Sequence, residues 1–502
     1  MKTTTLPDTC RTPALMLMLI STLTFSLLLC ACAASAPPAT VAMPAPPQWY
    51  APLPHGGSLA SLSQWWQQQH DPLLVELLET AQAVSPSIVT ARANIAQAGA
   101  NRAAAGAALL PTLDATGNVS RSVSAPINRT VAVPVNVGQL GLQTSWELDL
   151  FGPNAASRDA AQERFEGAQA LWHDARVVVA AEVATQYYGV LSCDKLRLVA
   201  DADARSRAET ARLSALATQA GFEAPATAAL ARASAAESKA RATQQRAQCD
   251  VDIKALVALT AVNEAVLREK LSVALAHAAT PERTEAFVHI TNVPADVLAQ
   301  RPDVVAAARE VAAASFDVGS ASAQRYPRLS LTGNIMANRS GARGVTQGFD
   351  TWSIGPLALT VPLFDGGASD ARLAAAKARY DEAAGKYRST GRQAVREVEE
   401  ALVKLQSTAD RSGDAAQAVD GYQASFAGTE ARYQAGLTSL VELEDARRTL
   451  LSAQSALVNL ELERRNAWIA LYRALGGGWS TATAPATRRA FDTPDSARPA
   501  GP

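Results

Sequence analysis

Three cysteines mark where covalent chemistry is expected in this chain of 502 residues. Cys32 ends Leu29-Cys30-Ala31-Cys32, with Leu three places and a small Ala one place before it, the pattern at which a bacterial signal peptide is removed and the new N-terminal cysteine acylated. Cys30 is the poorer candidate because bulky Leu29 precedes it. Lys2 and Arg11 precede an apolar run from Ala14 to Leu29 that is short for a membrane span and has the charge order of a secretory signal. The alternative is a plain signal peptide with an accidental cysteine. Cys193 and Cys249 are the two other thiols of the mature chain. Enzymatic chemistry is not indicated. His55, His70, His173, His277 and His289 have no metal-ligand spacing, and neither a phosphate loop nor a GxSxG elbow is present, so no metal or cofactor is expected. Asp201, Asp203 and Glu209 read as solvated charges on a helix face.

The elements that hold these residues are written twice. Leu109–Val119 (LLPTLDATGNV) and Arg325–Ile335 (RYPRLSLTGNI) share a Pro-x-Leu-x-x-Thr-Gly-Asn frame at an offset of about 215 residues, long enough for a unit of several elements. Ser85-Pro86 answers Arg301-Pro302, Leu150-Phe151-Gly152 answers Leu363-Phe364-Asp365-Gly366, and Gln219-Ala220-Gly221 answers Gln434-Ala435-Gly436. A net charge of −1, 19% charged and 5% aromatic residues fit close-packed helices with solvated faces and provide no footprint for nucleic acid.

Within each copy, short zones alternate on period two. Leu113, Ala115, Gly117 and Val119 face away from Thr112, Asp114, Thr116 and Asn118; Leu140, Leu142, Trp146 and Leu148 do the same in the next zone, as do Leu329, Leu331 and Ile335, then Leu357, Leu359, Val361 and Leu363. One apolar and one polar face suit a lipid-facing, water-lined barrel, and equally a half-buried sheet of a soluble protein. Four strands cannot close a barrel, so the membrane reading requires an oligomer. No proline interrupts Asn154–Gln219 or Asp370–Gln434, which as continuous helices would each reach on the order of 100 Å. Leu443, Ala446, Leu450, Ala453, Leu457 and Leu460 follow three/four spacing, and Leu451, Val458, Leu462 and Ile469 form a second stripe, so this helix has two helical neighbours. Gly221 and Gly436 follow the long helices and are expected to turn the chain into a returning antiparallel helix.

At this point the residues resemble a family. Val293-Pro294-Ala295-Asp296-Val297-Leu298-Ala299-Gln300-Arg301-Pro302-Asp303-Val304 is similar to the IPADLL-RRPDI segment of outer-membrane factors, the TolC-like, NodT-type lipoproteins of bacterial efflux systems. Trp65-Trp66 with Asp71-Pro72-Leu73, Trp146–Gly152, Val361–Gly367 and Tyr472–Trp479 add to the likeness, which covers Ser58 to Trp479. The resemblance implies a homotrimer whose protomers each give four strands to a twelve-stranded outer-membrane barrel, continuous with a periplasmic α-helical barrel. It implies a passive exit duct for small molecules, docked to a periplasmic adaptor and an inner-membrane transporter, commonly of the RND class. A type I protein-secretion duct and a non-conducting periplasmic coiled coil are the alternatives. Ala33 after Cys32 resembles the outer-membrane sorting pattern, so the lipid anchor would lie in that membrane.

Carried over by position, Val441 and Asp445 match the family's periplasmic constriction and Tyr433 a residue that ties neighbouring hairpins together; Glu442 and Glu444 depart from its more neutral residues there. Asp445 pairing with Arg447 or Arg448 on the helix wall is the competing reading. Gly221 lies midway between Cys193 and Cys249, so across an antiparallel hairpin the two sulfurs come to one height and a disulfide is expected if both face the seam; two separate buried thiols are the alternative. The expected organisation is a signal peptide over 1–31, an acylated tether over 32–57, a first repeat over 58–292 and a second over 293–479, then a disordered tail over 480–502. Strands are expected near 112–123, 138–150, 328–338 and 352–363, and long helices near 154–219, 223–258, 370–434 and 438–475.

Overall fold

In the computed structural model of the chain, helix after helix opens on proline: α1 (Pro72–Val84), α2 (Pro86–Ala107), α3 (Pro153–Gln219), α4 (Pro225–Thr260) and, after α5 (Glu264–Ala278), α6 (Pro302–Ala323). The first helical position has no intrahelical use for an N–H, and proline arrives with a helical φ. Residues 36–43, 45–46, 49–51, 65–68, 71–123, 134–278, 298–342 and 344–478 are described. The expected signal peptide, Cys32, residues 52–57 of the expected tether, residues 58–64 at the start of the expected first repeat, and the tail lie outside them.

With strands β1 (Thr112–Val123), β2 (Pro134–Leu148), β3 (Arg328–Ala342) and β4 (Val345–Thr360) and helices α7 (Ala368–Gln434) and α8 (Leu440–Ala474), the order α2-β1-β2-α3-α4 recurs as α6-β3-β4-α7-α8. The paired helices match in length: α2 and α6 have 22 residues each, α3 and α7 have 67 each. The helix that leads each strand pair was not foreseen from the sequence, because α2 is so rich in alanine that its apolar stripe is faint. The chain divides into two compact units, one comprising the N-terminal segment through Ala42 with residues 96–167 and 307–386, the other Met43–Ile95, 168–306 and 387 onward.

The first unit holds one antiparallel sheet in the order β1-β2-β3-β4. Its register aligns Leu113–Thr144–Gly333–Ile354, Ala115–Leu142–Ile335–Trp352 and Gly117–Leu140–Ala337–Asp350 as successive rows on one face. Between Leu331 and Gly333 the pairing slips by one residue on β4, at Gly355-Pro356. The bulge inverts the phase of the alternation, so Leu357 and Leu359 below it and Ile354 and Trp352 above it point the same way although their numbers differ in parity. Proline is admissible there because Pro356 stands in the bulge and has no ladder partner on β3. Strand β4 begins at Val345, seven residues before the expected start near 352, because Thr346, Gly348 and Asp350 dilute the apolar alternation. Where β2 and β3 pass, a Cβ on Gly141 would lie 2.8 Å from the Met336 Cα, so only glycine permits the approach. The carbonyls of Pro37 and Pro38 accept hydrogen bonds from the Ser315 Oγ at 2.5 Å and the Tyr380 hydroxyl at 2.8 Å.

The main apolar core of the second unit is drawn from α1 (Leu74, Leu77), α2 (Ile88), α3 (Val183, Tyr187), α4 (Leu256), α5 (Leu267), α7 (Leu402) and α8 (Leu471). Buried Asp71 caps α1, accepting the Leu74 N–H at 3.3 Å, and also accepts the Tyr187 hydroxyl at 2.8 Å. Arg301 donates to Asp303 at 2.7 Å, Glu397 at 2.9 Å and the Ala474 carbonyl at 3.0 Å. Trp66 meets Tyr472 edge-on at 4.8 Å, and a Cβ on Gly476 would sit 2.8 Å from the Gln300 carbonyl. The sequence segments that carry the family likeness here serve packing: their buried polar groups find partners only when α1, α7 and the end of α8 meet.

Candidate functional site

Two features carry functional potential, one in each unit. In the first unit the sheet has two chemically distinct faces. Val119, Trp352 and Ile354 are 87%, 75% and 82% exposed, and Leu113, Leu140, Ile335, Leu357 and Leu359 share their face, making a contiguous uncovered apolar surface. The opposite face carries Thr112, Asp114, Thr116 and Asn118 on β1 against Ser145, Gln143 and Gln139 on β2, with Asn334 and Asn338 on β3. Gln139 donates to the Asn338 Oδ1 at 2.9 Å, and Asn338 donates to the Thr351 Oγ1 at 3.0 Å, so polar side chains bridge neighbouring strands. The outer edges of β1 and β4 have no strand partner among the described residues.

In the second unit the interest lies at the helix turns. After α3, Phe222 N–H bonds the Ala217 carbonyl at 2.9 Å and Gly221 N–H the Thr218 carbonyl at 3.1 Å; after α7, Leu437 bonds Arg432 at 2.8 Å and Gly436 bonds Tyr433 at 2.9 Å. These are paired Schellman closures, which need a left-handed residue, and Gly221 and Gly436 supply φ of +79° and +72°. Cys193 on α3 and Cys249 on α4 are joined as a disulfide with Cα atoms 5.5 Å apart.

Near the second turn, Val441 is 63% exposed, and Asp445 pairs with Arg448 one helical turn along α8, both side chains open to solvent. Tyr433 packs beside Leu440, Leu443, Ala231 and Phe426, and partial burial raises its hydroxyl pKa. Glu442 and Glu444, the two departures from the family pattern, have separate structural reasons. Ser439 caps α8 by accepting the Glu442 N–H at 3.2 Å, while the Thr438 hydroxyl bonds the Glu442 carboxylate. Glu444 turns inward, where it accepts from Arg207, from the Ser234 hydroxyl at 2.8 Å and from Arg447 at 2.7 Å.

Around Glu444 lies a buried charge cluster that sequence reasoning missed. Arg207 on α3 is 5% exposed and Arg447 on α8 only 3%. Arg207 also bonds Asp203 at 2.9 Å; Arg447 bonds the Ser206 and Thr210 hydroxyls at 3.0 and 3.1 Å and lies over the Phe426 ring at 5.4 Å. Helices α3, α4, α7 and α8 all contribute. The expectation of solvated charges is corrected here for two residues. Asp203 belongs to this cluster, and buried Asp201 holds Arg246 at 2.6 Å and Arg197 at 3.1 Å; Glu209 remains at the surface with Arg212. The Arg246 hydrogen bond, first among the causes, lowers the Asp201 pKa. Ser439-x-x-Glu442 is a capping signal that sequence reasoning passed over, whereas inward arginines look like any helix charge. No group of His, Cys, Asp and Glu among the described residues is arranged to hold a metal ion, and no described helix is long and apolar enough to cross a membrane.

The family model for outer membrane efflux proteins matches residues 77–262 and 293–477, one segment for each copy of the recurring elements. The chain belongs to the outer membrane efflux protein family. It is similar to the solvent efflux pump outer membrane protein SrpC of Pseudomonas putida, 28% identical over 82% of this chain and 86% of that protein. It is also similar to outer membrane protein OprJ of Pseudomonas aeruginosa, 30% identical over 73% of this chain and 75% of that one. Among solved structures, the outer-membrane channel OprN superposes with a TM-score of 0.74 at 27% identity, covering 89% of this chain and 97% of OprN. As a member of the outer membrane efflux protein family, the chain is an outer-membrane protein that serves efflux.

Proposed function

We propose that three copies of this chain close a twelve-stranded barrel and form a passive exit duct for small toxic molecules. The observation that carries this is the sheet: four strands, both outer edges unpaired among the described residues, with one exposed apolar face and one polar face. In hydrocarbon every edge N–H and C=O must find a partner, and a four-stranded protomer can satisfy β1 and β4 only by pairing them with neighbouring copies. The apolar rows then meet lipid and the Asn, Gln and Thr rows line water, which carries cargo without chemistry. Helices α3, α4, α7 and α8 contribute a periplasmic α-helical barrel, Val441 and Asp445 ring its aperture, and Tyr433 ties hairpins beside it. A periplasmic adaptor and an inner-membrane transporter of the RND class supply cargo and energy. Acylation at Cys32 adds a lipid anchor to the barrel, and the bond between Cys193 and Cys249 forms in the oxidising periplasm. Full-length protein purified from outer membranes should run as a heat-modifiable trimer and give discrete single-channel currents in planar bilayers. A stable monomer that never conducts would overturn the reading.

A further inference from the structure

The apolar face of the sheet ends in a basic margin that the exit-duct reading leaves unused. Above the row Gly117–Leu140–Ala337–Asp350 the register places Val119–Gly138–Arg339–Gly348, and above that Arg121–Asn136–Gly341–Thr346. Arg339 and Arg121 therefore point to the same side as Leu113, Leu140, Ile335 and Trp352. Both are exposed, and neither has an ion pair among the described residues. Five rows separate Leu329 from Ala337 inclusive, about 27 Å along the strand and about 21 Å along the normal at the tilt of a membrane barrel, against an apolar band of about 25 Å. The arginines thus fall at one boundary of the hydrocarbon. The opposite ends of the strands lead into helices α3 and α7, so the arginine boundary is the one remote from the periplasm.

We propose that Arg339 and Arg121 form a binding site for the phosphates of a bisphosphorylated glycolipid in the outer leaflet. An unpaired guanidinium on a lipid-facing surface needs an acceptor at head-group depth, and a phosphate accepts its planar fork of donors in two parallel bonds. The surroundings leave room. Gly138 has open space where a Cβ would be, and the Arg339 guanidinium lies over Gly348, 3.6 Å from where that residue's Cβ would stand. Arg121 and Arg339 flank β2, their Cα atoms about 12 Å apart by strand spacing, and the Asn136 amide between them is a further donor. A disaccharide with a phosphate at each end spans such a gap. Asp350 is the nearest carboxylate on this face, one row toward the membrane interior, and it makes no ion pair with Arg339. The site rests on the apolar face being lipid-exposed.

The test uses the full-length trimer in phosphatidylcholine nanodiscs, titrated with bisphosphoryl lipid A, with the same lipid enzymatically stripped of phosphate, with phosphatidylglycerol, and with inorganic phosphate. Conductance of each variant in lipid A-free bilayers verifies folding and insertion. Wild type should prefer bisphosphoryl lipid A over the stripped lipid. The double variant Arg121→Gln/Arg339→Gln should lose about 30-fold in affinity, at roughly five-fold per basic residue near a charged surface, with normal conductance. Arg328→Gln, on the polar face at the other strand end, should leave the affinity for bisphosphoryl lipid A unchanged. Equal binding of stripped and phosphorylated lipid, phosphatidylglycerol or free phosphate binding as tightly as lipid A, or an undiminished double variant that conducts would each overturn the site. A wild-type protein that does not conduct would overturn the lipid-facing reading and the site with it.

Discussion

Removing the Glu444 carboxylate should loosen the join between the two helical hairpins. Glu444→Ala leaves Arg207 and Arg447, 5% and 3% exposed, without their shared acceptor. Breaking a buried ion pair from one side costs about 3–5 kcal/mol, because an uncompensated charge stays in the low-dielectric interior. Some compensation survives. Arg207 keeps Asp203 at 2.9 Å, and Arg447 keeps two hydroxyls and Glu430 at 4.0 Å, so the expected loss is at the low end, about 3 kcal/mol. Glu444→Gln retains an acceptor and should lose about half as much. Arg447→Met placed on Glu444→Ala should cost much less than the sum of the single changes, since it removes the stranded charge that the first change created. Urea unfolding followed by helical circular dichroism, with amide exchange of α3 and α8 peptides, measures each term. A Glu444→Ala protein within about 0.5 kcal/mol of wild type, with unchanged exchange, would refute the claim that this cluster joins the hairpins.

Four further outcomes are expected. Asp445→Ala should alter conductance and lower cation selectivity, whereas Arg448→Ala, which frees the Asp445 charge, should raise cation selectivity; unchanged currents in both would remove these residues from the aperture. Cys32→Ala should abolish acyl labelling while conducting trimers still insert, and persistent labelling would refute the anchor assignment. Cys193→Ser/Cys249→Ser should cost about 4 kcal/mol in the chain-entropy account of a loop of 56 residues, and free alkylatable thiols at both positions in wild type would remove the bond. The Asp201 pKa lies below its unfolded value, so its stabilisation is present above about pH 4 and is lost as pH falls through the folded value; Asp201→Asn should cost about 1 kcal/mol at pH 7 and nothing in strong acid, and a pH-independent difference would contradict the pairing with Arg246.

The repeat, the strands and the two turns were legible in the chain because each is a local pattern. Period-two alternation places Leu113 and Thr112 on opposite faces whatever surrounds them, and a glycine after a long proline-free helix can take the left-handed φ that few other residues tolerate. What the sequence could not decide were matters of cover and phase. Asp201, Asp203, Arg207, Glu444 and Arg447 have the spacing of ordinary surface charges, and only the packing of α3, α4, α7 and α8 around them makes them interior. Strand β4 reads as two fragments out of step until the bulge at Gly355-Pro356 brings Trp352 and Leu357 to one face. Trp66, Asp71, Arg301 and Tyr472 looked like scattered signature residues and proved to be neighbours of one core. Local backbone preference is written along the chain, but burial depends on which distant segment arrives, and that is decided when the elements pack.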